Sequence, residues 1–211
     1  MTVRLPSFSK MICTDLRRLS KTVDLVLASG SPRRKKILTK LGIKFTVLYP
    51  DIEEKINSAL RPDKLAVDLA CQKVCSLEHK PNGAYLSCDT IVVYQNQILT
   101  KPRDKNDALR ILKILSGQMH SVFTGLALYN SDSEQCLKGV EESRVTFNNW
   151  NESKLLEYIA TGEPMDKAGA YGIQGMGRFL VDMVDGNIDN VIGLPLVTLE
   201  KMAKRFLESH V

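Results

Sequence analysis

Aromatic residues and histidines are scarce in this chain. Aromatic residues make up 6% of its 211 positions, with one tryptophan, and the histidines are His79, His120 and His210. Proteins that bind single-stranded nucleic acid usually combine a basic groove with stacking aromatic residues. Zinc sites usually gather closely spaced cysteine and histidine ligands. The scarcity therefore disfavours both a broad nucleic-acid surface and a zinc site.

Long apolar segments are also missing. No apolar run approaches the roughly 20 residues that a membrane-spanning helix requires. We therefore expect a soluble protein with no membrane partner. The apolar fraction of 44% and the charged fraction of 25% are typical of a globular chain that buries a core. The chain length favours one compact domain with a deep cleft.

The cysteines show no pairing pattern. They are Cys13, Cys71, Cys75, Cys88 and Cys136, an odd number without a C-x-x-C pair. Cys71 and Cys75 have the i, i+4 spacing of one helical face, and they could share a metal only with ligands from elsewhere. Free thiols in a reducing cytosol are the simpler interpretation, so we predict a cytoplasmic protein.

Positive charge is concentrated near the start of the chain. The formal net charge is +5, and basic residues cluster at 17–21 and 33–36. A positive balance suits a polyanionic partner, which includes nucleotides, nucleic acid and membrane surfaces. Residues 1–23 have no sustained apolar segment and are not a secretory signal. We predict a flexible extension or a short extra helix there, with a weak transit peptide as the alternative, and one domain over 24–211.

Strand and helix patterns alternate along the first half of the chain, and a β-rich middle follows. This order predicts an α/β fold with a mixed sheet rather than a purely doubly wound one. Asp104 is expected to cap a helix, and Asn96 to lie in a tight hairpin turn. The predicted strands are 23–28, 45–48, 85–94, 119–129, 136–147 and 179–184, and the predicted helices are 32–41, 62–78, 104–115, 151–160 and the segment from 195 onwards.

A basic turn follows the first predicted strand. Residues 27–34 read Leu-Ala-Ser-Gly-Ser-Pro-Arg-Arg, with Ser31 as the expected N-cap and Pro32 as the first helical residue. Arg33 and Arg34 thus face the positive end of the helix dipole, which costs about 0.3–1 kcal/mol each. A bound anion would reverse that sign, because backbone amides and guanidinium groups would converge on it. A solvated basic helix start is the alternative.

Two further charged residues interrupt apolar patterns. Lys73 is the single charge on the helical stripe of positions 66, 70, 73 and 77. It either extends to the solvated rim or reaches into a cleft for a phosphate or carboxylate. Asp89 lies in a β-branched run where aspartate is disfavoured. A buried carboxylate needs a partner, which a divalent cation, a catalytic water or a loop amide would supply.

The remaining candidates lie in loops. Lys101 precedes a capped helix, and Glu54 belongs to an acidic pair that is either an exposed turn or part of a metal site. Gln174, in the glycine-rich stretch 166–175, offers the donor and acceptor that suit a pyrimidine edge. No Walker loop is present. Together these residues suit a metal-assisted phosphoanhydride hydrolase.

The chain resembles the Maf septum-formation family of nucleotide pyrophosphatases over roughly residues 24–208. The matching motifs occur in family order. They are LASGSPRR at 27–34, CDTIV at 88–92, KPR at 101–103, LSG at 115–117, HSVFTG at 120–125, GEPMDKAGAYGIQG at 162–175 and VIGLP at 191–195. The extension before residue 24 has no counterpart in the shortest family members, and the stretch 176–179 is variable in the family.

The resemblance implies an elongated α/β fold with a mixed central sheet flanked by helices, and two lobes with a cleft, similar to the inosine triphosphatase fold. It implies hydrolysis of a nucleoside triphosphate to the monophosphate and pyrophosphate by a homodimer. Mg²⁺ or Mn²⁺ would be held by Glu54 and Asp89, and Asp89 would be the proton acceptor. The residues implied to line the phosphate and metal site are Ser29, Arg33, Arg34, Glu54, Lys73 and Lys101.

The resemblance also implies a choice of base. Arg34, Thr90 and Gln174 match the pyrimidine-specific branch, which uses dTTP and UTP, and Thr90 and Gln174 argue against the branch that uses 7-methyl-GTP. Modified pyrimidine nucleotides are an alternative substrate class. From a different class, a nucleic-acid-binding regulatory protein would use the basic N-terminal region and bind with a steep salt dependence. The shortage of aromatic residues counts against it, and no stable nucleic-acid partner is expected.

Overall fold

The computed structural model describes residues 13–209. These residues form two compact units. The first unit contains residues 13–89, Thr124–Glu141 and 193–209, and the second contains Thr90–Phe123 and Glu142–Ile192. The boundary between the units falls within three long strands.

The described residues form helices and β-strands that alternate only in the first part of the chain. The helices are α1 (Thr14–Thr22), α2 (Pro32–Lys40), α3 (Pro62–Cys75), α4 (Lys105–Leu115), α5 (Glu152–Ala160), α6 (Ile188–Ile192) and α7 (Leu196–Ser209). The strands are β1 (Asp24–Ala28), β2 (Thr46–Leu48), β3 (Gly83–Tyr94), β4 (Gln97–Leu99), β5 (Met119–Asn130), β6 (Cys136–Phe147) and β7 (Val181–Asp185). Short 3₁₀ turns occupy Glu163–Asp166, Ala168–Ala170 and Met176–Leu180.

In the first unit the sheet order is β2-β1-β3-β5-β6. Strand β1 pairs in parallel with β2 and β3, so that Ala28 lies opposite Leu48 and Ser87. The residues that follow these positions therefore emerge at one edge of the sheet. In open α/β sheets the carboxyl edge of parallel strands is where ligands usually bind.

Helix α3 packs unusually close to β5 in this unit. A Cβ atom placed on Gly125 of β5 would lie 2.1 Å from the carbonyl oxygen of Ala66 on α3, so only glycine permits this approach. Ala66 and Ala70 of the predicted stripe are buried, and so is Val74 on the same helix. The close contact fixes the height of α3 above the sheet, and with it the position of every side chain on the helix.

Helix α1 packs against α7 in the first unit. Leu16 and Leu19 of α1 are fully buried. The Glu200 carboxylate of α7 accepts hydrogen bonds from the amides of Asp15 and Leu16, at 2.7 and 3.0 Å. Residues 14–22 therefore form a docked helix. The predicted flexible extension otherwise falls on residues 1–12, outside the described part of the chain, and the domain boundary at residue 23 stays a prediction.

The antiparallel pairings of the second unit include β3 with β4 and β6 with β7. Strands β3 and β4 form a hairpin through Gln95 and Asn96, whose φ angles of 46° and 64° match a two-residue turn. Strand β6 pairs with β7. Helix α4 begins where the Asp104 side chain accepts the Asp107 amide at 2.8 Å. Its apolar stripe is buried, as its periodicity predicts.

The prediction of a mixed α/β fold, with a central mixed sheet flanked by helices, is confirmed. Several local predictions differ from the structure. Helix α3 ends at Cys75 rather than at residue 78, β7 begins at Val181 because a 3₁₀ turn occupies the residues before it, and α6 was not anticipated. Within residues 13–209, none of the helices is long and apolar enough to cross a membrane.

Candidate functional site

The turn after β1 is held together by Ser29 and Arg34. The Ser29 hydroxyl accepts a hydrogen bond from the Ser31 amide at 3.2 Å and another from the Arg34 guanidinium at 3.0 Å. Arg34 is buried, and its Nε donates to the carbonyl oxygen of Gly193 at 2.8 Å. The guanidinium is thus a fixed positive charge beside the start of α2. Arg33 is half-buried in the same turn.

Ser31 corrects one expectation about this turn. It occupies the N-cap position of α2, as predicted, but its side chain makes no capping hydrogen bond. The hydroxyl of Ser29 accepts the Ser31 amide instead. Because Pro32 at the first helical position has no N–H, the turn needs fewer side-chain acceptors than the usual cap supplies.

Lys73, Asp89 and Glu54 form a charged cluster in the first unit. The Lys73 ammonium donates to Asp89 Oδ1 and lies 3.1 Å from Glu54 Oε1. The side chains of Lys73 and Asp89 are each 14% exposed, and that of Glu54 is 40% exposed. Of the two alternatives for Lys73, the structure has the one in which it reaches a carboxylate. We call Ser29, Arg34, Glu54, Lys73 and Asp89 the phosphate-side cluster.

The environment of Asp89 raises its pKa above the usual aspartate value. Burial is the largest cause, and the Glu54 carboxylate adds to it. The Lys73 ammonium and the Arg34 guanidinium act in the opposite direction without cancelling the effect of burial. A carboxylate that holds a proton more tightly than usual is a better general base near neutral pH.

Two residues that the sequence analysis did not identify position this cluster. The buried Ser87 hydroxyl on β3 donates to the Ala70 carbonyl on α3 at 2.5 Å. The Gln72 side chain bonds both backbone groups of Lys55, at 2.9 and 3.0 Å. Ser87 thereby ties the strand of Asp89 to the helix of Lys73, and Gln72 ties the loop of Glu54 to that helix. The adjacency of Gln72 to Lys73, and of Lys55 to Glu54, is the only sequence signal of this role.

Cys88, the neighbour of Asp89, takes no part in the charged cluster. It is fully buried, and burial raises its pKa to about 11. The thiol is therefore protonated at neutral pH and packs as a small apolar group.

The phosphate-side cluster contains two carboxylates that contact the same ammonium group. Such a pair suits Mg²⁺ or Mn²⁺, which usually take one or two protein carboxylates and complete their coordination with water and phosphate oxygens. Across residues 13–209, no group of three or more histidine, cysteine, aspartate or glutamate side chains could hold a metal ion. The donor set therefore fits a cation that arrives with phosphate ligands, and the predicted metal dependence stays a prediction.

Thr90, Lys101 and Gln174 belong to the second unit. Thr90 is half-buried on β3, directly after Asp89 in the chain. Lys101 is exposed in the loop between β4 and α4, and Gln174 is exposed between two 3₁₀ turns. The structure thus gathers part of the predicted site in the phosphate-side cluster of the first unit. Thr90, Lys101 and Gln174 are not part of that unit.

The glycine-rich segment, residues 162–177, is organised by Glu163. Its carboxylate accepts hydrogen bonds from the amides of Met176 and Gly177, at 2.7 and 3.2 Å, and from the Tyr158 hydroxyl at 3.0 Å. A Cβ atom on Gly175 would lie 2.4 Å from this carboxylate. The loop that carries Gln174 is therefore fixed by one acidic side chain. Sequence reasoning missed Glu163, although a glutamate flanked by Gly162 and Pro164 was visible.

His120, in the motif at 120–125, is a core residue of the second unit. It is 3% exposed, and one ring nitrogen lies 2.9 Å from the Tyr171 hydroxyl. Burial lowers its pKa to about 3, so the ring is neutral under ordinary conditions. Its position among Phe147 and Tyr171 indicates packing rather than ligand binding.

Comparison with known proteins shows extended similarity. The family model described as Maf-like protein matches residues 24–206. The dTTP/UTP pyrophosphatase of Dictyoglomus turgidum is 43% identical over 185 residues, which cover 87% of this chain and 96% of that protein. The dTTP/UTP pyrophosphatase of Alkaliphilus oremlandii is 44% identical over 177 residues, covering 83% of this chain and 92% of that protein.

Similarity to solved structures is weaker. The Ham1 protein of Staphylococcus aureus superposes with a TM-score of 0.45 and 11% identity, covering 89% of this chain and all of that one. A dITP/XTP pyrophosphatase from Mycobacterium abscessus superposes with a TM-score of 0.43 and 12% identity, covering 86% of this chain and 94% of that one. Neither value supports a detailed comparison, so the assignment rests on the sequence matches. On those matches, the chain belongs to the Maf-like protein family.

Proposed function

We propose that this protein hydrolyses dTTP and UTP to the nucleoside monophosphate and pyrophosphate, with the help of a divalent cation. The names of its relatives support this substrate class. The observation that carries the chemistry is the largely buried Asp89 carboxyl group, which accepts a hydrogen bond from the Lys73 ammonium and whose pKa is also influenced by the positive charge of Arg34. This arrangement combines a proton acceptor with positive charge for phosphate groups.

Asp89 is the proposed base. A water molecule attacks the α-phosphorus, the bond from that phosphorus to the bridging oxygen breaks, and pyrophosphate leaves. The proton of the water passes to a carboxylate oxygen of Asp89, whose raised pKa favours its capture. The Lys73 ammonium keeps the carboxylate in one orientation, which reduces the reorganisation needed during the reaction.

Positive side chains stabilise the leaving pyrophosphate in this proposal. Arg34 is already fixed by Ser29 and Gly193, so it can offset developing charge without moving. Arg33, Lys73 and Lys101 supply further positive charge. Glu54 and Asp89 would hold Mg²⁺ or Mn²⁺, and such a cation polarises phosphoryl oxygens when it is bound.

Base selection is assigned to Gln174 and Thr90. Gln174 is exposed on a loop whose backbone Glu163 fixes, so its amide is presented from a rigid support. A side-chain amide can donate to one position of a pyrimidine edge and accept from another. Modified pyrimidine nucleotides present similar edges and are included as candidate substrates. The alternative of a nucleic-acid-binding regulator gains no support from the comparisons, and homodimer formation and a cytoplasmic location remain predictions.

The test is pyrophosphate release from a panel of canonical and modified nucleoside triphosphates with Mg²⁺, with Mn²⁺ and without metal. Asp89→Asn should lower turnover by about 10²–10⁴-fold, while the melting temperature and much of the nucleotide affinity are retained. Asp182→Asn, at an exposed position on β7, is the matched control and should leave turnover unchanged. Near wild-type rates for Asp89→Asn would exclude Asp89 as the base. Absence of turnover with every nucleotide would contradict the proposed activity.

A further inference from the structure

Tyr49 is an exposed aromatic residue that directly follows β2. It is 70% exposed, in a chain where aromatic residues make up 6% of the positions. Within residues 13–209, its hydroxyl group makes no hydrogen bond. Tyrosine joins a large apolar ring to a polar hydroxyl group, and both are available here to a ligand. A single exposed aromatic residue needs no explanation by itself, so the position of Tyr49 decides whether it has a role.

The backbone before Tyr49 and the Tyr49 ring both lie against the turn that follows β1. The Ser29 amide donates a hydrogen bond to the carbonyl oxygen of Leu48 at 3.1 Å, which fixes the chain directly before Tyr49. A Cβ atom placed on Gly30 would lie 3.6 and 3.9 Å from two carbon atoms of the Tyr49 ring. One edge of the ring therefore adjoins the turn in which the Ser29 hydroxyl holds the Arg34 guanidinium.

The strand order places Asp89 and Tyr49 on opposite sides of β1. The order is β2-β1-β3, Tyr49 follows β2, and Asp89 lies on β3. Ala28, the last residue of β1, is paired with Leu48 on β2 and with Ser87 on β3. The turn after β1 therefore lies between Asp89 and Tyr49 along the edge of the sheet.

The proposed reaction orders the parts of the substrate along this edge. In that reaction the α-phosphate lies at Asp89, and the leaving pyrophosphate lies at Arg34 in the turn after β1. The base is assigned to Thr90 and Gln174, which belong to the second unit and not to β1 or β2. Because the three phosphates form a chain that leads away from the base, the terminal phosphate lies on the far side of the turn from Asp89. Tyr49 adjoins the turn on that side.

We propose that Tyr49 binds the terminal phosphate of the substrate and so favours nucleoside triphosphates over diphosphates. The inference rests on the proposed function, which supplies the positions of the α-phosphate and the pyrophosphate. The phenol O–H donates to an oxygen of the terminal phosphate, and such a hydrogen bond to an ionised acceptor is stronger than a neutral one. The edge of the ring stays against Gly30. A diphosphate bound with its α-phosphate at Asp89 lacks the group that Tyr49 contacts.

Binding of two analogues that resist hydrolysis tests this role. Isothermal titration calorimetry would compare α,β-methylene-dTTP with α,β-methylene-dTDP in the presence of Mg²⁺. Tyr49→Phe should bind the triphosphate analogue about tenfold more weakly than the wild type, because one hydrogen bond to a charged group is lost. Its affinity for the diphosphate analogue should be unchanged. Tyr94→Phe is the matched control, since the Tyr94 hydroxyl donates to Gln118 in the second unit, and it should alter neither affinity.

Inorganic tripolyphosphate separates a phosphate contact from a base contact, because it carries no base. Tyr49→Phe should bind it about tenfold more weakly than the wild type. If the Tyr49 ring instead stacks on the base, Tyr49→Phe keeps full affinity for every probe, and Tyr49→Ala loses affinity for both nucleotide analogues but not for tripolyphosphate. That pattern would overturn the proposal.

The same titrations separate the role of Tyr49 from the proposed function. A preference for the triphosphate analogue that persists undiminished in Tyr49→Phe would overturn the role of Tyr49 and leave the proposed function intact. Failure of the wild type to bind either nucleotide analogue would contradict the proposed function, and this inference with it. Because Tyr49 is exposed, the melting temperature of Tyr49→Phe should equal that of the wild type.

Discussion

The phosphate-side cluster and the glycine-rich segment are fixed in opposite ways. In the phosphate-side cluster, charged side chains bond to one another, as Lys73 does to Asp89 and Glu54. In the glycine-rich segment, the Glu163 carboxylate binds backbone amides and a hydroxyl. The first arrangement keeps formal charges in contact with one another, whereas the second fixes the shape of a loop.

This difference matches the chemistry proposed for each region. Transfer of a phosphoryl group requires charge that is already in place when charge develops on the substrate. Recognition of a base edge requires a rigid backbone that presents a neutral amide. The phosphate-side cluster therefore keeps ionised groups in spite of the free-energy cost of burying them in part. The glycine-rich segment is instead held by hydrogen bonds from neutral groups to the Glu163 carboxylate. Substitutions in the two units can show whether the phosphate-side cluster and the glycine-rich segment depend on each other.

The largest loss of stability is expected at Gly125, where the backbone of β5 contacts the backbone of α3. Gly125→Ala would place a Cβ atom 2.1 Å from the Ala66 carbonyl oxygen, which cannot rotate away. We expect the free energy of unfolding to fall by at least about 3 kcal/mol, as measured by urea denaturation. Gly30→Ala is the matched control, because its Cβ would make an ordinary contact with Tyr49 at 3.6 Å. Equal effects of the two substitutions would show that α3 can shift on the sheet.

His120 provides a pH-dependent test in the second unit. Its folded-state pKa of about 3 lies below the ordinary value of 6.5, so the unfolded chain binds this proton more readily. Stability should therefore fall as pH drops from 6.5 toward 3, by about 1.4 kcal/mol per pH unit from this group alone. Between pH 6.5 and 4.5, His120→Gln should lose about 2.3 kcal/mol less stability than the wild type. Parallel stability curves for the two proteins would contradict the assignment of a neutral, buried ring.

Loss of the Glu163 carboxylate should reduce stability by a smaller amount. Glu163→Ala removes the acceptor for two amides and one hydroxyl, and we expect it to cost about 2 kcal/mol of stability. Hydrogen exchange at Met176 and Gly177 should accelerate. Glu157→Ala, whose exposed carboxylate pairs with Lys154, is the control and should change stability by less than about 0.5 kcal/mol. Exchange rates that stay slow in Glu163→Ala would show that the loop has another anchor.

The smallest effect is expected from Gln174→Ala. The residue is exposed, so stability should change by less than about 0.5 kcal/mol. If the amide reads the base, kcat/KM for dTTP relative to a purine nucleoside triphosphate should fall about tenfold, equivalent to about 1.4 kcal/mol. Gln135→Ala, at another exposed glutamine, should leave the ratio unchanged. An unaltered ratio in Gln174→Ala would remove the residue from base selection.

Local patterns predicted most of the secondary structure. The strand 136–147 and the Asp104 cap of α4 follow from alternation and capping chemistry, and both are present. Positions that depend on distant partners were not predictable. Gly125 is required by the Ala66 carbonyl, 59 positions earlier in the sequence, and Arg34 is held by the carbonyl of Gly193. No local pattern reports such contacts.

The sequence identified the charged residues of the candidate site but not the residues that hold them in position. Asp89 stood out because aspartate is unusual in a β-branched strand, and Lys73 because it interrupts an apolar stripe. The supporting residues Ser87, Gln72 and Glu163 are common polar residues in unremarkable positions. Their roles arise from tertiary hydrogen bonds, so only the folded structure identifies them.

The docking of α1 on α7 also affects how copies of this protein could assemble. The family match begins at residue 24, after α1, yet α1 contributes the fully buried Leu16 and Leu19, and Glu200 caps its first turn. The surface of α7 that faces α1 is thus covered by the chain's own helix. Two subunits would therefore have to pair through a different face. Removal of α1 would expose the apolar surface of α7 that α1 covers.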